Sequence, residues 1–570
     1  MKNFQFYRYI LQYKGKLLFL LIINLISLIF TLSLPYVTKF IIDKAYKNKN
    51  IKLFVVSVVI GIIIFLVSTI LNFIGKNIST LFKKQVIFDI TTNLFRHLQQ
   101  LPLSFYDQHS SGVFVQRLNN DVRRLSEFLV EIPVGLVVNL IGLVIIFVIL
   151  FYLDLRIALV CLVAAPLNFI YPYFSGYKLK MFLEKEMTKV QNISKLLVDV
   201  FVQMRLVKAF NNEEIEIERF EKNFAERIHL EKKIGKISNF FDLSSSFISK
   251  VISSILTLYC GYLVMKKRLS LGNFSAIVLY INHAVAKVKG IADIVKNISE
   301  NSVLQTRIRN IFDIEPPIYK DLNYYGIKQA KIEFKDVVFG YNSSKLIFNG
   351  ISFVIEPLSK IALIGPSGCG KSTILSLILR LYEIQKGSIL IDGVDIRDIG
   401  VGSLREQIGI ALQQPLLRDE TIAFNILYGK KDATKEEMIW ASKIACAYDF
   451  IMELKDCFDT FVGERGVRLS EGQKQRIALA RAIIKNPKIL ILDEAISSVD
   501  LETEEKIIEN IKNNLLGSTV IIVSHRLSVI KKMDLIYFLE SPKKIEVGTH
   551  QKLLLENQKY KNFLSSKNKV

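Results

Sequence analysis

Four stretches of this chain run 21 to 23 residues without a single Asp, Glu, Lys or Arg: Leu17–Thr38, Leu53–Gly75, Ile132–Leu153 and Ile157–Tyr177. About 20 apolar residues in a helix cross a hydrocarbon layer roughly 30 Å thick. Four such runs cannot all be hidden in a soluble core. Leu243–Met265 is a fifth run, interrupted only by Lys250, and Leu269–Ala286 is a sixth. The expectation is six membrane-spanning helices. Lys2, Arg8, Lys14 and Lys16 precede the first run in the manner of a secretory signal. That run is longer than a signal's apolar region of about 7–15 residues and others follow, so it reads as the first span.

Lys and Arg total 75 against 53 Asp and Glu, a net charge of +22. Such an excess suits either nucleic acid or the headgroups beside a membrane span. Residues 1–320 hold 40 basic and 22 acidic residues, and residues 321–570 hold 35 and 31. The excess travels with the apolar half, which points to anionic lipid and not to nucleic acid. The five cysteines include no CxxC pair, so neither a disulfide scaffold nor a zinc knuckle is indicated.

Spans 1–2, 3–4 and 5–6 are joined by short links at Lys47–Ile51, Asp154–Arg156 and Lys266–Arg268. Spans 2–3 and 4–5 are separated by the long stretches Lys76–Glu131 and Lys178–Asp242, which keep a helical apolar rhythm. Those helices are expected to run beyond the lipid into one aqueous compartment. If the last 250 residues bind ATP, that compartment is the cytoplasm, with both termini inside. The basic long stretches agree with this orientation, whereas Lys266, Lys267 and Arg268 on an outer link blur it.

Glu315-Pro316-Pro317 marks a break, and β-branched strands then alternate with helical patterns. The expected boundaries are a membrane domain over residues 1–310, a linker over 311–330 and an α/β domain over 331–570. Gly365, Pro366, Ser367, Gly368, Cys369, Gly370, Lys371, Ser372 and Thr373 form a phosphate-binding loop between the strand Lys360–Ile364 and a helix opening at Lys371. Its glycines let backbone N–H groups turn toward phosphate, and the helix N-terminus adds its positive end. Lys371 supplies a cation and Ser372 a hydroxyl for Mg²⁺. The strand Ile489–Leu492 delivers Asp493 and Glu494, carboxylates suited to holding a metal and polarising water. The strand Thr519–Ser524 delivers His525 in the same way.

Leu469-Ser-Glu-Gly-Gln473, following the phosphate loop and preceding Asp493, resembles the signature motif of ATP-binding cassette (ABC) proteins. The motif set is close to complete. Tyr341 resembles the aromatic residue that stacks on adenine, and Gln413 the Q-loop glutamine that senses Mg²⁺ and the attacking water. Thr460 to Gly466 resembles the exporter X-loop. Ser497-Ser-Val-Asp500 resembles the D-loop, with Asp500 at its end, Glu494 the catalytic glutamate and His525 the switch histidine. In the membrane half, Leu101–Asp107 with Ser111, Gly112 and Arg117, and Arg205–Phe210 with Glu213, resemble coupling-helix regions of exporters with six spans per chain. Leu269–Gly272 resembles their outer link between spans 5 and 6.

The resemblance implies a multidomain chain: an all-α membrane domain of six spans, then an α/β P-loop ATPase cassette. It implies an ATP-driven exporter of a lipid-like, drug-like or peptide cargo at the cytoplasmic membrane, using ATP and Mg²⁺. The implied catalytic residues are Glu494, His525 and Gln413. Metal contacts fall to Ser372, Gln413 and Asp493. Ser470, Gly472 and Gln473 would touch ATP held by a second cassette. One chain therefore needs a partner, either a second copy of itself or a homologous half-transporter with a degenerate site. A nucleotide-sensing membrane regulator is disfavoured because no hydrolytic residue is missing, and a soluble cassette protein of DNA repair or translation because of the six spans.

Three features depart from the pattern. Glu471 stands where the signature usually has glycine, Val113 replaces an acidic residue, and span 6 lacks a proline often found after its tyrosine, here Tyr280. Because span 1 starts near residue 17, no amino-terminal cysteine-protease domain is expected. In span 6, His283 and Lys287 lie one turn apart on one face, while Lys289 and Asp293 lie on another, at a spacing that permits pairing. His283 and Lys287 either anchor at the inner headgroups or face a cavity and favour anionic cargo. No motif reads the cargo itself.

Overall fold

The computed structural model describes residues 12–109, 111–164, 167–316, 324–341 and 345–567. The chain divides into two units, one of Met1–Leu101 and Phe105–Pro316, the other of Pro102–Ser104 and Pro317–Val570.

The first unit is helical. Its long helices are α1 (Lys14–Phe40), α2 (Ile51–Gln100), α3 (Val122–Leu153), α4 (Leu155–Ala164), α5 (Leu167–Val202), α6 (Glu213–Met265) and α7 (Leu271–Phe312). Four helical stretches among the described residues are long and apolar enough to cross a membrane: Lys14–Tyr46, Ile51–Gln100, Gly112–Leu153 and Glu213–Met265. The fourth expected span falls on α4 and α5, on either side of residues 165–166. The sixth falls on α7, whose apolarity is lowered by Asn273, Asn282, His283 and Lys287. At 50 residues, α2 extends about 75 Å, far more than the roughly 30 Å hydrocarbon layer.

The short links fall where polar residues can satisfy helix ends. The Asp154 carboxylate accepts from Arg156 N at 2.9 Å, so α4 starts directly after α3 stops. Asp43, on a π-helical turn continuing α1, accepts from Ser270 Oγ at 2.7 Å and Gly272 N at 3.1 Å, which ties it to the start of α7. Tyr280 of α7 is buried and donates to Leu32 O of α1 at 2.8 Å. Leu101–Asp107 contains the short helix Leu103–Asp107, and Arg205–Phe210 overlaps the short helix Met204–Ala209. Large side chains such as Phe65, Phe73 and Leu258 are exposed, as expected for a surface that faces lipid.

The second unit carries two sheets. The strands β1 (Ile332–Phe339), β2 (Phe348–Ile355), β4 (Lys386–Ile391) and β5 (Val394–Asp395) form an antiparallel sheet in the order β2-β1-β4-β5. A larger sheet has the order β10-β9-β3-β8-β7-β6. It is built from β3 (Lys360–Ile364), β6 (Ile408–Ala411), β7 (Ile489–Asp493), β8 (Thr519–Val523), β9 (Leu535–Ser541) and β10 (Lys544–Gly548). All its pairings are parallel except β9–β10. Alternate residues of β3 enter opposite cores, Ile361 and Leu363 on one face and Ala362 and Ile364 on the other. Both faces are covered, which explains why β3, β7 and β8 read as unbroken apolar runs. The helices that matter for the site are α8 (Lys371–Ile378), α9 (Glu471–Ile483) and α10 (Leu501–Asn514).

Candidate functional site: a phosphate loop and three strand ends

The strands β3, β8, β7 and β6 are consecutive neighbours and run parallel, so their carboxyl ends lie along one edge of the sheet. The phosphate loop leaves β3, His525 follows β8, Asp493 ends β7 with Glu494 directly after it, and Gln413 lies two residues beyond β6. Ligands of parallel sheets bind outside this edge.

Glu494 is where these elements converge. Gln413 Nε2 donates to its Oε2 at 2.8 Å, and His525 Nε2 lies 3.1 Å from its Oε1. Its own backbone N–H donates to Val523 O of β8 at 3.0 Å. The residue sits at φ +50°, left-handed backbone that a non-glycine residue rarely adopts. Asp493, just before it, lies beside the Ser372 side chain. Burial pushes the Asp493 carboxyl above the usual carboxylate range, against the lowering effect of the neighbouring Ser372 and Lys371.

Within the loop, Lys371 is 8% exposed and its ammonium donates to Gly365 O at 2.9 Å and Pro366 O at 3.0 Å. Gly370 has φ +108°, and a Cβ there would come within 2.5 Å of Phe348 Cζ, so only glycine fits. Tyr341 is 46% exposed, and its Oη lies 3.2 Å from Thr373 Oγ1. Its ring stands edge-on to Tyr382, with centroids 5.0 Å apart. Gln385 clamps the preceding residue, donating to Gly340 O at 2.8 Å and accepting from Gly340 N at 3.0 Å.

The signature segment opens α9. Ser470 Oγ accepts from Gln473 N at 3.3 Å and Gln473 Oε1 accepts from Ser470 N at 2.9 Å, a capping box. Glu471 is exposed in the first turn, where the helix dipole favours an acid, and pairs with Lys474 at 3.2 Å. Asp500 caps α10 by accepting from Thr503 N at 2.8 Å. Among the described residues, no hydrogen bond joins Ser470, Gly472 or Gln473 to the phosphate loop of the same chain. Three neighbours have no sequence signal of their own: Tyr382 packs edge-on to Tyr341, Gln475 accepts from Ser498 N and Arg526 donates to Val499 O, contacts that only the fold creates.

In the membrane unit, the stem of Lys287 packs against Gly142 of α3, beside Leu28 of α1. Lys289 donates to Ser246 Oγ of α6 at 3.2 Å. A cavity of about 570 Å³ lies between α3, α5 and α7, lined by Glu127, Glu131, Asn139, Met187, Ile294 and Asn297 among others. Neither His283 nor Lys287 lines it.

The chain matches the family described as ABC transporter transmembrane region over residues 17–288 and the one described as ABC transporter over residues 348–497. It is 31% identical over 533 residues to the ATP-dependent lipid A-core flippase of Syntrophus aciditrophicus (strain SB), covering 93% of this chain and 88% of the relative. The chain belongs to the ABC transporter family. Another ABC relative, the putative multidrug export ATP-binding/permease protein YgaD of Bacillus subtilis (strain 168), is 31% identical over 578 residues and 99% of both chains. A solved bacterial Atm1-family ABC exporter with ATP bound superposes with a TM-score of 0.91 at 25% identity, covering 97% of this chain and 99% of its own. This ABC transporter is an exporter-type half-transporter: a multi-pass membrane domain and a nucleotide-binding ATPase domain in one chain, with ATP hydrolysis coupled to export.

Proposed function

We propose that two copies of this chain form a homodimeric exporter, each phosphate loop facing the Ser470–Gln473 segment of the other. The observation that carries the reading is the convergence of Gln413 and His525 on Glu494, beside the loop and Asp493. In this reading the loop N–H groups and Lys371 cradle the β- and γ-phosphates, and Tyr341 stacks on adenine. Glu494 orients the attacking water and draws its proton, Gln413 holds that carboxylate, and His525 stabilises charge developing on the γ-phosphate. Ser470 and Gly472 of the other copy complete the cage.

The oxygens of the Ser372 hydroxyl, the Asp493 carboxylate and the Gln413 amide fit Mg²⁺, which takes one or two carboxylates together with substrate phosphates. When bound, that ion would neutralise phosphate charge.

The cassettes lie in the cytoplasm and their closure drives the membrane domains between inward- and outward-open states. The cargo is a lipid-like or drug-like amphiphile, in keeping with the flippase and multidrug-export names of the relatives. His283 and Lys287 favour a carboxylate or phosphate on it. The test is ATPase activity of the chain purified alone in lipid, across a panel of anionic, neutral and cationic amphiphiles and peptides. A homodimeric exporter hydrolyses ATP unaided, with a Hill coefficient above 1 and stimulation by its cargo class. An inactive pure chain that a homologous partner activates would replace the homodimer with a heterodimer.

A further inference from the structure

The segment between Glu494 and α10 is pinned from two sides. Arg526 Nη1 donates to Val499 O at 2.9 Å and its Nη2 donates to Ser497 O. The same guanidinium meets Glu504 Oε1 of α10 at 3.1 Å, and that carboxylate is 1% exposed. From α9, Gln475 Oε1 accepts from Ser498 N at 2.9 Å and its Nε2 reaches Ser497 Oγ at 3.4 Å. A Cβ on Gly472 would sit 2.9 Å from Ser498 O, so the signature helix lies directly against this segment.

Arg526 is the neighbour of His525, which approaches Glu494 at 3.1 Å. Two adjacent residues at the end of β8 thus hold both ends of one short stretch. His525 faces the carboxylate at its start, and Arg526 faces the carbonyls three and five residues later. A planar guanidinium spans two carbonyls and a carboxylate at once; an ammonium is a point charge and does not. Glu504 is buried, and the arginine is the cation beside it, which a buried acid needs as counter-ion when ionised.

We propose that Arg526 is a positioning residue for ATP hydrolysis: it locks the Ser497–Asp500 segment to the Glu494–His525 pair, so that a displacement of α9 reaches the hydrolytic carboxylate. The effect belongs in the chemical step and not in nucleotide affinity, because Arg526 touches neither the phosphate loop nor Tyr341. The inference rests on the assignment of Glu494 given above.

The test uses the full chain in lipid, with Arg526→Lys, the pair Arg526→Gln with Glu504→Gln, and Glu494→Gln as a control. Arg526→Lys keeps a cation beside Glu504, and the double variant removes the buried acid together with the arginine, so at least one should fold. Expected for the folded variants are a kcat reduced at least tenfold, a KM for ATP within about threefold of the parent and an unchanged Tm for Arg526→Lys. Unchanged kcat in both folded variants overturns the proposal. So does a loss of kcat matched by equal losses of ATP binding and Tm in both, which marks Arg526 as structural only. Turnover surviving in Glu494→Gln would instead refute the assignment of the carboxylate, separately from the outcome for Arg526.

Discussion

His525 Nε2 and Glu494 Oε1 lie 3.1 Å apart although 31 positions separate them in the chain. Their strands, β8 and β7, are parallel neighbours with Asp493 opposite Val523, so the residues following each strand emerge side by side. The pairing leaves the second Glu494 oxygen to Gln413. A carboxylate held at both oxygens and on strained backbone is preorganised for one orientation.

Glu494→Gln is expected to abolish steady-state hydrolysis, by at least about a hundredfold, while ATP binding and dimer closure persist. Phosphate release and nucleotide trapping measured on the same preparation check both halves. Substantial turnover with ATP bound would remove Glu494 from its role.

Tyr341→Ala should raise KM for ATP with kcat nearly unchanged at saturation, because a stacking contact is made equally in ground and transition states. Loss of a base–aromatic contact of about 1–3 kcal/mol corresponds to roughly fivefold to a hundredfold in KM. Tyr341→Phe keeps the ring and loses only the 3.2 Å contact with Thr373, so its KM should move far less. Equal KM values for the parent and Tyr341→Ala would return the tyrosine to the role of a surface residue at a strand end.

Asp392 ties the entry to β1 against the turn after β4. Its carboxylate accepts from Lys328 N at 2.8 Å, Gln329 N at 3.1 Å and Lys331 N at 2.9 Å. Burial raises its pKa, but these backbone donors outweigh that and hold it below the usual range. A depressed carboxylate contributes stability above its unfolded pKa, about 3.9, and loses it as pH falls through the folded value. Asp392→Asn should therefore lower cassette stability at pH 7 by about 1–2 kcal/mol, a range kept modest because the group is partly open to water. The deficit should shrink below about pH 4. Thermal unfolding as a function of pH checks it, and a deficit independent of pH would assign the effect to packing.

Lys287→Ala should weaken stimulation by anionic amphiphiles several-fold while basal ATPase activity is kept. Its stem lies between α3 and α1, on the helix-facing side of α7 and not on a lipid-facing one. Identical responses of variant and parent to anionic and neutral cargo would leave Lys287 as an anchor at the headgroup level.

Much of this protein is written locally. Charge-free runs, an apolar strand before Gly365 and a helix-forming sequence after Lys371 are short-range properties, and they suffice for spans, strands and the phosphate loop. Ser470 with Gln473, and Asp500 with Thr503, cap their own helices, so these contacts are local as well.

Only tertiary structure decided the rest, because strand order is not a local property. Nothing between Gln413 and His525 in the sequence says that β6, β7, β8 and β3 are consecutive in space, and that order is what brings Gln413 and His525 to the two oxygens of Glu494. The left-handed backbone of Glu494, the stem of Lys287 against Gly142, and the guanidinium of Arg526 between two carbonyls and a buried acid depend on partners 22 to 145 positions away or on the frame those partners build. Sequence by itself determined which groups this transporter carries; packing across the sheet and between the helices determined which of them meet.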